Sequence, residues 1–422
     1  MMKKYEEMIK LRREFHKYPE TGWAEFYTTA KIVNFLKELK FNIKLGTSVI
    51  NPAFVQGRDI KIVNKGIAFA KEQGVTDDIL DLMDGYTGCV AELDTGRIGP
   101  TVALRFDIDC VNVNESNIQT HKPNQENFRS IFQGLMHACG HDGHMAIGLG
   151  VARWLSDNRS QFRGKIKLLF QPAEEGVRGA TAMAESGIVN DVDYFLGMHL
   201  GFIAKSGEIV INPSHFLCTT KFDFRFYGIP AHAGAAPEEG KNALAAACNT
   251  AIQMLGISRS GKGMSRINVG VIQAGEGRNV IPAYGCLQVE VRGENQGINK
   301  YMSDQVQRIA QGNAYSFDVK LETEIMGEAI DLTNDKELID VLSNVVDQYP
   351  NLQKIQNRSF GGSEDATILA RKVQSHGGKA IYFIIGSDLK AGHHQSEFDF
   401  DEKQLITGLN LYTGCLLSLL KK

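Results

Sequence analysis

The chain has 422 residues, with 46 Lys and Arg against 49 Asp and Glu, for a formal net charge of -3 at pH 7. That balance carries no electrostatic footprint for nucleic acid or an anionic membrane surface, and no apolar run approaches the roughly 18 residues of a membrane span. Hydrophobic content of 43% and charged content of 23% are those of an ordinary globular protein, and the length suggests two or three domains at roughly 150 residues each.

The first residues, MMKKYEEMIKLRREF, are charged and helix-like and hold no apolar signal-peptide core. The seven cysteines, at 89, 110, 139, 218, 248, 286 and 415, are scattered and odd in number. They argue against a disulfide framework and for a reducing compartment, the cytoplasm. Residues 24–39 place Phe26, Ala30, Val33 and Leu36 at helical spacing. Residues 47–88 hold few strand signals and one helix near 61–73, and read as an insertion. Residues 101–106 form a short apolar strand ending at Asp107. A helix over 144–156 precedes a strand over 165–170, which runs into Glu174 and Glu175. A helix near 178–187 and a strand over 192–198, ending at His199, complete the pattern of a mostly parallel sheet with helices on both faces.

The middle region reads differently. Phe222, Phe224 and Phe226 alternate with Lys221, Asp223 and Arg225, the signature of a strand with one wet face. A helix over 241–256, strands over 266–273 and 287–292, a helix over 297–311 and a strand over 315–324 follow. The order β-α-β-β-α-β is that of a ferredoxin-like α+β unit. The expected division is therefore a catalytic domain over 1–214, an inserted domain over 215–329, and the rest of the catalytic domain over 330–422. The strand over 380–385, ahead of His393 and His394, brings the last part back to the first sheet.

Chemistry concentrates in His137-Ala138-Cys139-Gly140-His141-Asp142-Gly143-His144. Imidazole and thiolate suit borderline-soft divalent metals, and glycines at 140 and 143 let the backbone turn tightly. Cys139 and His141, two residues apart, can face one point; His137 and His144 suit ligation or the orienting of ligands. Asp107, Glu174, Glu175 and His199 all follow strand C-termini, where open α/β sheets bind ligands. The side chains of Glu174 and Glu175 point in different directions. One can bind metal while the other takes a proton from an attacking water and passes it to a leaving nitrogen. His393 and His394, after a strand, are ligand candidates. In the inserted domain, His232 tips the turn Ala231-His-Ala-Gly234, Asn279 lies in Gly-Arg-Asn-Val-Ile-Pro, and Arg292 ends a strand. Such a trio suits polarising a carbonyl and holding a carboxylate, and solvated loop and strand positions are the alternative.

These residues resemble the two-domain, di-metal aminoacylase and carboxypeptidase family of metallopeptidases, in its amidohydrolase branch. The motifs are His16-x-x-Pro19-Glu20, Arg105-Phe-Asp107-Ile-Asp109, HACGHDGH at 137–144, QPAEEG at 171–176, Met198-His199, AHAG at 231–234, Asn279-Val-Ile-Pro282 and His394-x-x-x-Phe398. They run in the family's order over nearly the whole chain. The resemblance implies that Cys139, His141, Glu175, His199 and His394 ligate two divalent ions, Mn or Zn. Glu174 would be the general base, with Asp107 and Asp109 supporting the metal site. It further implies that His232 acts from a partner's lid, that Asn279 and Arg292 bind the substrate carboxylate, and that the inserted domain dimerises. The insertion and the stretches 362–367 and 391–401 are similar to the group that cleaves aminobenzoyl-glutamate. The expected substrate is thus an N-acyl amino acid, and the expected assembly a homodimer or a heteromer with a homologous second subunit. The alternatives are hippurate hydrolysis, N-acetyl-diaminopimelate deacetylation, dipeptide cleavage and a non-catalytic, metal-binding role in an assembly.

Overall fold

Met8, Arg12 and Phe15 recur at helical spacing in the charged N-terminal segment and are buried together on helix α1 (Met2–Lys17). Helix α2 (Phe26–Glu38) starts where the Glu20 carboxylate accepts the free backbone N–H groups of Tyr27 and Thr28, at 3.1 and 2.7 Å. Strand β1 (Asn42–Lys44) leads into the insertion. There Asp59 caps helix α3 (Ile60–Glu72) by accepting the Lys61 N–H, and helix α4 (Asp77–Met83) follows. Next come β2 (Cys89–Asp94), β3 (Thr101–Asp107) and the single turn α5 (Lys122–Gln125). Helix α6 (His141–Asn158) is followed by β4 (Lys165–Gln171), α7 (Ala180–Ala184), β5 (Tyr194–Leu200) and β6 (Glu208–Ser214).

The middle region supplies β7 (Cys218–Tyr227), α8 (Ala243–Leu255), β8 (Ser265–Ala274), β9 (Tyr284–Gly293), α9 (Gln296–Ser316) and β10 (Lys320–Ala329). The chain then adds α10 (Lys336–Val346), β11 (Gln353–Ser359), α11 (Ala366–Ser375), β12 (Lys379–Ile385) and α12 (Gln404–Leu420). This computed structural model describes residues 2–421. It divides into one unit of Met1–Ser214, Leu332–Gly361 and Asp365–Lys422, and a second of His215–Asp331 and Gly362–Glu364.

The first unit is built on an eight-stranded sheet ordered β1-β2-β4-β3-β5-β12-β6-β11. Strands β3, β4, β5 and β12 run parallel to their neighbours among themselves, as does β11 to β6. The antiparallel contacts are β1–β2, β2–β4 and β12–β6. Strand β3 is buried along its whole length, which accounts for its unbroken apolar reading. Asp107 and Gln171 pair in register at the C-terminal ends of β3 and β4. The loops after β3, β4 and β5 therefore leave the same sheet edge.

The second unit is a four-stranded antiparallel sheet ordered β10-β7-β9-β8, the ferredoxin-like arrangement expected. Phe222, Phe224 and Phe226 pack with Leu287, Val289 and Val291 against buried faces of α8 and α9. The last strand begins at Lys320 rather than near 315. Helix α9 continues to Ser316 because Ala310, Asn313 and Ala314 keep its buried stripe going, and Asp318 turns the chain at φ 50°.

Candidate metal centre

The cluster sits where the β3, β4 and β5 loops meet the start of α6. Gly140, at φ 93°, turns the chain sharply between Cys139 and His141, so both side chains enter the same space. Cys139 Sγ lies 3.6 Å from His199 Nε2. His141 Nε2 faces Asp107 Oδ2 at 3.7 Å, Glu174 Oε2 at 3.8 Å and Glu175 Oε1 at 3.9 Å. His394 Nε2 lies 3.2 Å from Glu175 Oε1, and the His394 backbone N–H donates to Ala138 O at 2.8 Å. Cys139, His141 and His199 form one group with donor atoms within 4.8 Å of one another. Cys139, Glu175 and His394 form another, and His141, Glu174 and Glu175 a third. Four non-glycine residues on loops around the cluster, Ala173, Val177, Phe202 and His394, have φ between 52 and 63°. Such strain costs on the order of 1–3 kcal/mol each and gathers at functional sites.

The outer nitrogens explain the ring orientations. His141 Nδ1–H donates to Asp109 O at 2.9 Å, and His199 Nδ1–H donates to Leu200 O at 2.8 Å, leaving each Nε2 aimed inward. The Asp109 carboxylate accepts the backbone N–H groups of both Glu174 and Glu175, at 3.0 and 2.9 Å, and so fixes the acidic loop. Asp107 accepts from His144 Nδ1 and from Arg105, each at 2.6 Å, and His144 Nε2 accepts the Leu200 N–H. Both nitrogens of His144 are thus committed to the fold. His137 is buried with neither ring nitrogen hydrogen-bonded, and burial holds it neutral, down to about 3. His393 stacks on Phe202 at 4.0 Å and donates to Leu200 O, so of the two adjacent histidines only His394 faces the cluster.

The donor set fits divalent cations. Burial, then the charges of Glu175, Glu174 and Asp107, push the Cys139 thiol well above its usual range. Burial opposes charge on His141, but Asp107, Asp109 and Glu175 override it and raise the ring to about 10. A proton on His141 thus supplies the positive charge these carboxylates demand. A bound cation would replace it and make the thiolate stable. His141 Nε2 and Glu175 Oε1 are also buried without hydrogen bonds; the short His394 contact to Glu175 Oε1 lacks hydrogen-bond geometry.

The second unit holds the other expected residues. His232 Nδ1 accepts the N–H groups of Gly234 and Ala235, at 3.2 and 3.1 Å, so the ring proton resides on Nε2. Asn279 stands beside it, its backbone carbonyl accepting the Ala233 N–H at 3.0 Å. Arg292 lies near the far end of β9, bonded to Glu290 at 3.1 Å. Arg292 is eight positions beyond Tyr284, roughly 27 Å of strand. Past Tyr284 the segments that continue β7 and β9 stay paired, at Gly228–Ala283 and His232–Val280, so the His232–Asn279 pair lies beyond the end of β9 opposite to Arg292.

Sequence reasoning passed over the buried charges beneath the cluster. Arg12 bonds Asp142 at 2.8 Å, Asp399 at 2.6 Å and Glu402 at 3.2 Å, while His16 bridges Asp142 and Glu115 at 2.8 and 3.0 Å. The available signal was an arginine on the same helical stripe as Met8 and Phe15. Glu25, which accepts the Ala173 N–H at 2.8 Å, and Arg178, which donates to Glu175 O and Gly57 O, had no such signal.

A thiol, imidazoles and carboxylates on loops at the C-terminal edge of an α/β sheet are the equipment of a metallo-hydrolase. The chain belongs to Peptidase family M20/M25/M40, whose pattern matches residues 103–418, and it is accordingly an enzyme of the metallo-hydrolase and peptidase class. It is 56% identical over 98% of both chains to a homolog of one subunit of p-aminobenzoyl-glutamate hydrolase from Haemophilus influenzae. It is 43% identical to the indole-3-acetyl-aspartic acid hydrolase of Enterobacter agglomerans, over 94% of this chain and 92% of that one. Among solved structures, an aminobenzoyl-glutamate utilization protein from Klebsiella pneumoniae superposes with a TM-score of 0.84 at 36% identity, covering 97% of this chain and 95% of that one.

Proposed function

We propose that this chain hydrolyses the amide bond between an aromatic acyl group and an acidic amino acid, with aminobenzoyl-glutamate, cleaved to aminobenzoate and glutamate, the leading substrate. The observation that carries the reading is the pair of adjacent carboxylates: both reach His141, but of the two only Glu175 is also grouped with Cys139 and His394. In this reading Cys139, His141, Glu175, His199 and His394 hold two divalent ions, Mn or Zn. Those ions would polarise the amide carbonyl and acidify the attacking water. Glu174 takes the proton of that water and delivers it to the departing nitrogen, which leaves as the amine of the amino acid. Asp109 holds the acidic loop, and Asp107 keeps His144 and Arg105 in place beneath it. Arg292 offers a planar fork for the free carboxylate, and His232 Nε2–H a donor for the carbonyl oxygen as charge develops on it. The length of β9 supports different chains supplying Arg292 and the His232–Asn279 pair to one substrate.

A partner chain is further supported by the free edge of β8 and by exposed Ile252, Leu255 and Ile272 nearby. We propose a second copy, with a homologous second subunit the alternative. The free cysteines fit a reducing cytoplasm. The names of the two relatives share an aromatic acyl group and an acidic amino acid, which favours indole-acetyl-aspartate as the second substrate.

The test is kcat/KM on metal-loaded protein for aminobenzoyl-glutamate, indole-acetyl-aspartate, hippurate and N-acetyl-diaminopimelate. Preference for either of the last two removes the substrate assignment. Inactivity on all four with metal bound favours a missing partner chain or a non-catalytic role.

A further inference from the structure

The first unit contains a cavity of about 340 Å³ that no proposed ligand or catalytic residue lines. One wall is α3 of the insertion, which contributes Ile62, Lys65 and Phe69 at i, i+3 and i+7, on one helical face. The rest of the lining includes Asn112, Phe132 and Leu135. Phe69 and Phe132 meet edge to face with centroids 4.9 Å apart, a preformed aromatic corner. Gly66 lets α3 approach the chain at Ala24; a methyl there would sit 2.5 Å from the Ala24 carbonyl oxygen.

This cavity is tied to the metal cluster at three points. Asn112 is three residues beyond Asp109, so their Cα atoms are at most about 11 Å apart. The backbone of Cys110, next to Asp109, donates to Glu20 O at 2.9 Å, and Glu20 lines the cavity. Arg178 bonds both Glu175 O, at 2.9 Å, and Gly57 O, at 3.0 Å, coupling the acidic loop to the segment that leads into α3.

We propose that this cavity is the acyl-group subsite, and that α3 of the insertion makes the enzyme selective for acyl groups consisting of one planar aromatic ring. The inference rests on the amidohydrolase reading above and extends it to the substrate half that reading leaves without a binding site. The ring of an aroyl amide is bonded directly to the attacked carbonyl carbon, so its pocket must adjoin the metal centre. The volume lies at the small end of the roughly 300–1,000 Å³ range of small-molecule sites. The lining is mostly apolar, Glu20 is already engaged by the Tyr27 and Thr28 N–H groups, and Lys65 is the one cation among the described residues that line the cavity. Lys65 at the rim suits the face of a ring.

The test fills the cavity from its exposed wall. Ile62 is 42% exposed, so Ile62→Trp leaves the core intact, and Lys65→Trp fills the same space from the next turn. Each full-length, metal-loaded variant is compared with wild type on aminobenzoyl-glutamate and N-acetyl-glutamate. The kcat/KM for the aromatic substrate should fall by roughly 10-fold or more, while that for the acetyl substrate stays within about twofold. Calorimetric binding of p-aminobenzoate, with and without Mn, should weaken in parallel. Equal loss on both substrates, or no change on either in both variants, overturns the subsite. If wild type cleaves neither substrate, the amidohydrolase reading fails separately and the p-aminobenzoate arm decides. Binding weakened by Ile62→Trp or Lys65→Trp supports the pocket; absent or indifferent binding overturns it.

Discussion

Replacing Arg12 by Met tests the buried charge network on which the N-terminus of α6 rests. The methionine keeps the apolar stem between Phe128 and Phe400, whose rings lie 5.0 and 4.5 Å from the guanidinium carbon. What is lost is the charge. Asp142 retains His16, and Glu402 retains Arg13 and Lys122. Asp399 retains no ion-pair partner among the described residues. The substitution therefore leaves one buried carboxylate uncompensated, a defect of about 3–5 kcal/mol. At about 2.1 cal/mol/K of unfolding entropy per residue over the roughly 300 residues of the first unit, its melting temperature should fall by about 5–8 °C. Adding Asp399→Asn removes the stranded charge and should recover part of the loss. The assay is differential scanning calorimetry of wild type, both single variants and the double variant. A shift below about 2 °C for Arg12→Met, or a double variant no more stable than that single one, refutes the reasoning. Because Asp142 sits in the first turn of α6 beside His141, the same substitution should also weaken metal retention.

Three further outcomes are expected. Glu174→Gln should lower turnover by at least roughly 10²-fold with metal retained, whereas Glu175→Gln and Cys139→Ala should lose metal from about two ions per chain, as read by elemental analysis; the reverse pattern would exchange the two glutamates' roles. Burial raises the Glu115 carboxyl, but hydrogen bonds from His121 and His16 outweigh it and bring the group down to about 2. Its contribution, about 3 kcal/mol from a folded value near 2 against an ordinary 4.5, is present above pH 4.5 and lost as pH falls toward 2. Glu115→Gln should flatten that acid limb in urea titrations between pH 5 and 3. Light scattering should report a dimer or larger, and Ile252→Asp with Leu255→Asp should shift it toward monomer; an unshifted oligomer would place the interface elsewhere.

Much of this architecture was legible because its signals are local. Strands β3, β4, β5 and β12 are buried apolar runs, and β7 alternates strictly. The histidine-rich motif and the acidic pair stand next to the ends of such strands, so their convergence followed from topology. Strand β11, Gln353–Ser359, escaped notice because an edge strand with a mostly exposed, polar sequence has no hydrophobic period to read. Helix α7 proved shorter than expected, since its small residues carry no boundary signal short of Gly187, at φ 84°. The Arg12 network was hidden for another reason. It joins residues up to 390 positions apart, and a buried arginine and an exposed one look alike in sequence.

Strand β12 lies between β5 and β6, in the interior of the sheet, although its residues, Lys379–Ile385, come near the end of the chain. During synthesis the ribosome must therefore deliver more than 370 residues before this gap can close. The inserted unit has its own sheet and core and can mature first, as domains generally fold as units in order of emergence. The first unit has to wait with the inner edges of β5 and β6 unpaired. Those edges are sticky while they wait. A chain interrupted after residue 378 would leave a finished inserted unit attached to a sheet with its middle missing, so translation errors late in the message would yield aggregation-prone protein rather than a merely shortened enzyme.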